Sequence, residues 1–275
     1  MVRSLWTAAT GMIAQQTNID TIANNLANVN TNGYKTQVNE FKSLLYQTLQ
    51  TKTTTANGEQ KPTSAQVGLG VRNSAITSVF KTGNMISSES ETAFAIDGKG
   101  FFAVRGEDGN TYYTRNGNLK FTLATNGNML ATTDGLPVLD TNGQPIILGN
   151  NYILNRITVD KLGNLCYPDA NNNPQLIGRR IGVFQFNNPN GLEKEGDSLY
   201  RQTVASGQPI NEATNANVER SNILQGYLEG SNVQVVDEQF TTDKATDFMS
   251  ILTAIKAKKP DAIFYGGMDP QAGPM

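Results

Sequence analysis

Histidine is absent from the 275 residues. That removes Ser-His-Asp and Cys-His nucleophile systems, His-ligated zinc and imidazole general-base chemistry in one step. A single cysteine, Cys166, leaves no internal disulfide and no Cys-rich metal site. It is expected as a small, half-buried side chain in a strand. Charge is scarce as well, at 17% of residues against a usual share of about 25%. With 22 basic and 24 acidic residues there is no cationic excess to neutralise a phosphate backbone, which argues against nucleic acid as a partner. No apolar run approaches the roughly 18 residues that span a bilayer. The opening residues lack the unbroken apolar stretch of a cleaved secretory signal. A soluble chain without membrane insertion is expected.

What is present suffices for a packed core. Hydrophobic residues make up 38%, and the 26 glycines raise the broader apolar class to roughly 47%. The length suggests about two domains.

The strongest periodicity lies at residues 4–29. Leu5, Ala9, Met12, Gln16, Ile19, Ala23 and Leu26 recur at alternating spacings of four and three, an apolar heptad seam with one polar position at Gln16. Ile13, Ile22 and Val29 widen it on one flank. Ser4 is the candidate N-cap, and Asn32-Gly33 the candidate left-handed stop. A helix of that length either docks its stripe on its own domain or pairs with a helical partner as a coiled coil. Phe41, Leu44, Leu45 and Leu49 fit a further short helix. Residues 51–64 then carry almost no apolar side chain, so they are expected to be extended or unordered in the isolated chain.

From about residue 71 to 220 the reading is all-β. Runs at 94–96, 101–104, 111–114, 118–121, 153–159 and 181–186 are rich in β-branched and aromatic residues. Asn-Gly or Asp-Gly pairs at Asp97, Asp108, Asn116, Asn126, Asp134 and Asn142 punctuate them, which points to antiparallel hairpins. Asp97-Gly98-Lys99-Gly100 lacks Walker spacing and leads into a strand, so it reads as a turn. Asp160-Lys161-Leu162-Gly163-Asn164 fits a hairpin turn and lacks the ligand ladder of an EF-hand. Glu193, Glu195 and Asp197 read as a solvated charge cluster and not a paired-carboxylate site. No nucleophile, base and orienting group can be assembled. No enzyme activity, cofactor, metal site or small-molecule substrate is expected.

The segment from Ala23 to Lys35, Ala-Asn-Asn-Leu-Ala-Asn-Val-Asn-Thr-Asn-Gly-Tyr-Lys, resembles the N-terminal signature of bacterial flagellar rod and hook proteins. Arg3-Ser4-Leu5-Trp6, Ala14-Gln15-Gln16-Thr17 and Phe41-Lys42-Ser43-Leu44-Leu45-Tyr46-Gln47 make the distal rod the most similar branch. Blocks at 66–72, 97–102 and 226–233 agree in order, so the resemblance covers about residues 1–238. It implies a structural subunit, exported by the type III route, that assembles helically into a hollow rod outside the cytoplasmic membrane. Its partners would be copies of itself and other rod and hook subunits. The implied interface comprises Leu5, Ala9, Met12, Ile19, Ala23 and Leu26 of the seam, with Asn24, Asn25, Asn28, Asn32 and Gly33 of the signature. A proximal rod or hook subunit is the neighbouring alternative.

The resemblance stops near Glu238. Residues 239–275 read as a helix of about 13 residues ended by Pro260, then an apolar Ala262-Ile263-Phe264-Tyr265 strand. This tail resembles a helix-strand unit of periplasmic branched-chain amino-acid-binding proteins, and by itself would imply such a ligand-binding module. As a foreign tail it would cover at most half the N-terminal seam, weaken polymerisation and add an aggregation-prone run.

The expected fold class is therefore mainly β with a long N-terminal α-helix: an antiparallel β-domain, a helical terminal region and an atypical helix-strand tail. The expected organisation is 1–35 axial helix region, 36–70 linking segment, 71–220 β-domain, 221–238 return segment and 239–275 tail.

Overall fold

The computed structural model describes residues 2–50, 64–234 and 257–258. The chain is mainly β, with one N-terminal helix and antiparallel sheets. The 51–63 stretch and nearly all of the 239–275 tail, including its expected helix and strand, lie outside the described residues.

Two compact units arise: one uses residues up to 26 and 39–76, the other residues 27–38 and 77–232. In the first, helix α1 spans Val2–Ala27. Ser4 therefore lies within its first turn and is not its cap. The end also differs from expectation. The helix stops at Ala27 because Asn28 closes a turn: its carbonyl accepts from the Thr31 N–H (3.1 Å) and its side-chain oxygen from the Thr31 hydroxyl (3.1 Å). Gly33, at φ +72°, lies beyond that stop.

The short helix expected around Phe41–Leu49 is instead two strands. Gln37–Ser43 pairs with Val71–Ser78, and Tyr46–Gln50 pairs with Ala65–Gly68. Helical spacing of four leucine and phenylalanine side chains was outweighed by cross-strand pairing that the local sequence does not reveal.

The second unit centres on a six-stranded antiparallel sheet. Its order is Glu193–Lys194, Leu199–Arg201, Thr111–Thr114, Phe101–Arg105, Val183–Gln185, Ile210–Asn211. The central strand Phe101–Arg105 is buried on both faces, which explains its unbroken apolar run. Phe102 and Val104 join Phe94, Ile96, Leu119, Leu130, Ile146 and Ile181 in one cluster. Phe101 and Ala103 point the other way, into a cluster with Tyr113, Phe186 and Tyr200. There the Phe101 ring meets Phe80, Phe186 and Tyr200 edge-on at 5.5–5.8 Å.

Two further three-stranded sheets flank this core: Leu119–Ala124, Gly127–Thr132 and Ile147–Leu148 form one, Thr158–Val159, Asn164–Pro168 and Pro174–Arg180 the other. Within the expected strand at 153–159, a 3-10 turn, Leu154–Arg156, precedes the two-residue strand Thr158–Val159. Its polar Asn155-Arg156 pair breaks the alternation that a half-buried strand requires. Cys166 is buried in Asn164–Pro168. The 160–164 turn is closed by its aspartate, whose Oδ1 accepts the N–H groups of Leu162 (2.9 Å) and Asn164 (2.8 Å). Asp140 and Asp169 close their turns the same way.

Candidate subunit interface

Helix α1 presents two chemically different faces. At about 100° per residue, Leu5, Met12 and Ile19 fall close together, and Ala9, Gln16 and Ala23 fall beside them. Thr10, Ala14, Thr17, Thr21 and Asn25 lie on the opposite side. That polar, small-residue side is the covered one: Ala14, Thr21 and Asn25 are buried. The Thr10 hydroxyl accepts the Val71 N–H (3.3 Å), and the Thr21 hydroxyl accepts from the Asn39 amide (3.2 Å). Thr17 and Thr21 donate in turn to the carbonyls four residues back. Gly70, at φ +112°, is required where the chain passes the helix, since a Cβ there would collide with the Thr10 hydroxyl.

The apolar seam is left outside. Leu5 is 69% exposed, Met12 68% and Ile19 59%. Trp6 and Ile13 are exposed on the flank. Ala9, Ala23 and Leu26 are half-buried. Of the signature, Asn24 is exposed, Asn25 buried and Asn28 and Asn32 half-buried. The geometry therefore joins the seam residues on one face but scatters the asparagines. Asn28 stops the helix, and Asn25 sits on the covered side.

Gly33 is buried in the second unit, where a Cβ would come within 2.6 Å of the Arg115 carbonyl carbon. Around it stands a cluster that sequence reasoning missed. The Lys35 ammonium, fully buried, pairs with Glu229 Oε1 at 2.5 Å, and Arg115 reaches Glu229 Oε2 at 3.3 Å. Burial and the neighbouring Arg115 hold the Lys35 pKa down, opposed by the Glu229 carboxylate. The signal was available only as juxtaposed motifs: Lys35 ends the first signature block and Glu229 sits within the 226–233 block.

The candidate chemistry elsewhere resolves into structure. Glu193 and Glu195 both pair with Arg201 on the surface, at 2.7 and 3.2 Å. Asp97-Gly98-Lys99-Gly100 bends between strands: a Cβ on Gly98 would meet Ser221, and one on Gly100 would meet Val183 Cγ1 and Glu212 Oε1.

A profile of the flagella basal body rod protein family matches residues 5–35, the helix and its signature. One of the flagellar hook protein FlgE/F/G D1 domain matches residues 95–167, within the second unit. Flagellar basal-body rod protein FlgG of Borreliella burgdorferi is 39% identical over 88% of this chain and 88% of its own length. This chain belongs to the flagellar basal-body rod family. The FlgG proteins of Agrobacterium fabrum, at 38% identity over 86% of this chain and 87% of the relative, and of Bacillus subtilis, at 36% over 86% and 88%, agree. A flagellar hook protein FlgE of Helicobacter mustelae is 38% identical, but over 40% of this chain and 25% of its own length. The rod family is structural and not enzymatic, and its place is the flagellar basal body. The chain is a structural subunit of the rod. No helix among the described residues is long and apolar enough to cross a membrane.

Proposed function

We propose that the chain is a distal rod subunit that assembles helically with copies of itself and other axial subunits through the apolar seam of α1. In this reading Leu5, Ala9, Met12, Ile19, Ala23 and Leu26 form the contact stripe. Asn24, Asn25, Asn28, Asn32 and Gly33 shape the passage from helix to extended chain. The 36–70 segment adds intersubunit contacts, and 221–238 is the return segment. Repeated heterologous contacts of this kind build an open tube.

The observation that carries the reading is the inverted helix: the chain covers its threonine and asparagine face and leaves its leucine, methionine and isoleucine face in water. Each such side chain gains about 1.5–3 kcal/mol on full burial, so an unpartnered seam is costly and a repeated one cohesive. Near-complete coverage of the FlgG relatives, against the partial match to a hook protein, supports rod over hook.

Sedimentation of the purified chain over a concentration series tests this. Association is expected for the unaltered chain, and Met12→Asp is expected to abolish it while the circular dichroism stays unchanged. Association that survives Met12→Asp would move the interface elsewhere.

A further inference from the structure

The cluster around Glu229 is layered, and the layers are unequal. The return segment 229–232 rests on residues 79–87. Tyr227–Glu229 pairs with Met85–Ser87, and the Gly230 N–H donates to the Asn84 carbonyl (2.8 Å). The Gly83 N–H donates to Glu229 Oε1 (2.9 Å). The Asn232 amide donates to the carbonyls of Val79 (2.7 Å) and Lys81 (3.1 Å).

Segment 33–36 rests in turn on the return segment. The Gly33 N–H donates to the Glu229 carbonyl (2.7 Å), and the Thr36 N–H and hydroxyl donate to Asn232 Oδ1 (2.7 and 2.8 Å). Lys35 pairs with the Glu229 carboxylate. It is also held where the Lys35 ammonium donates to the Lys81 carbonyl (2.9 Å), the Val79 N–H to the Thr36 carbonyl (2.9 Å) and the Asn232 N–H to the Tyr34 carbonyl (3.5 Å).

The charges impose the same order. Arg115 is buried, and its guanidinium donates to the carbonyls of Gly98 (2.6 Å) and Ile96 (3.3 Å). Lys35 arriving without Glu229 would bury a second cation beside it, with carbonyl oxygens as its hydrogen-bond partners. A buried charge without its counter-charge is strongly disfavoured.

We propose that Glu229 and Asn232 make docking of the signature's end, residues 33–36, conditional on prior docking of the return segment 229–232. A chain that has not yet folded its late segment then cannot set its early one. Both ends of the second unit order together, in a fixed sequence. This concerns folding of the single chain and stands apart from the seam reading, because its test uses no assembly.

Amide hydrogen exchange on the full chain is the experiment, with Glu229→Gln and Lys35→Met compared. Glu229→Gln is expected to speed exchange at Gly33, Thr36 and Val79 by about 100-fold or more, while strands Phe101–Arg105 and Thr111–Thr114 keep their protection. Lys35→Met weakens the outer layer, and since 227–232 opens only after 33–36 has left, both are expected to exchange faster by a similar factor, with 33–36 staying the faster of the two. Unchanged exchange at 33–36 in Glu229→Gln, or exchange at 227–232 that equals or outpaces 33–36 in Lys35→Met, overturns the proposal. Should Glu229→Gln fail to fold, adding Lys35→Met is expected to restore folding, and failure of that pair overturns it also.

Discussion

The central strand of the β-unit and helix α1 use apolar residues in opposite ways. Phe101, Phe102, Ala103 and Val104 are all sealed from water on both faces of one strand. Leu5, Met12 and Ile19 are all left in water along one face of the helix. The β-unit closes its own core, whereas the helix satisfies its polar side within the chain and leaves its apolar side exposed. Hydrophobic content alone therefore does not locate a core. Which face the neighbouring backbone takes decides it.

The contrast can be broken from the strand side first. Phe101→Ala removes a ring touching three others and is expected to cost about 3–5 kcal/mol, read as a lowered denaturant midpoint for the β-unit. Alkali acts on the same cluster. Burial pushes Tyr113 and Tyr200 from 10.0 up to about 12. Between those values the unfolded chain loses protons that the folded one keeps, so stability falls as pH rises from 10 to 12, by about 2–3 kcal/mol per tyrosine. Ultraviolet titration is expected to show two of the nine tyrosines ionising last. Gly33→Ala forces a Cβ onto the Arg115 backbone at positive φ and is expected to cost about 2 kcal/mol or more, seen as a lowered Tm. The smallest effect is the sharpest on the helix side. Met12→Ser should change the stability of the single chain by less than about 0.5 kcal/mol, in thermal melts of dilute protein, while weakening association in concentrated protein.

The sequence made the local features legible. The heptad spacing of α1, the strands around Phe101 and Thr111 and the Asp-Gly turns each depend on residues a few positions apart. The 160–164 turn and the placement of Cys166 in a strand also came out as expected, although its side chain is buried and not half-buried. Features decided by distant chain did not. Nothing near Phe41 or Leu49 announced that these residues would be strands, since their partners begin at Ala65 and Val71. Nor could spacing reveal that Lys35 meets Glu229, 194 residues away. The seam residues themselves were readable. That the fold would cover the opposite face of the same helix was not, because Asn39 and Val71 had to be in place to do it.

The seam also has a thermodynamic character of its own. Helix α1 carries only Arg3 and Asp20 as charged residues in 26, with no acid in its first turn and no base in its last. Contacts made through such a face owe little to Coulomb attraction, so raising the ionic strength should hardly weaken them. Their driving force is the release of water from apolar surface, which fades on cooling and is reinforced by excluded salts such as sulfate. A shaft joined along this stripe would tolerate wide swings in salinity, and cold would loosen it before brine did.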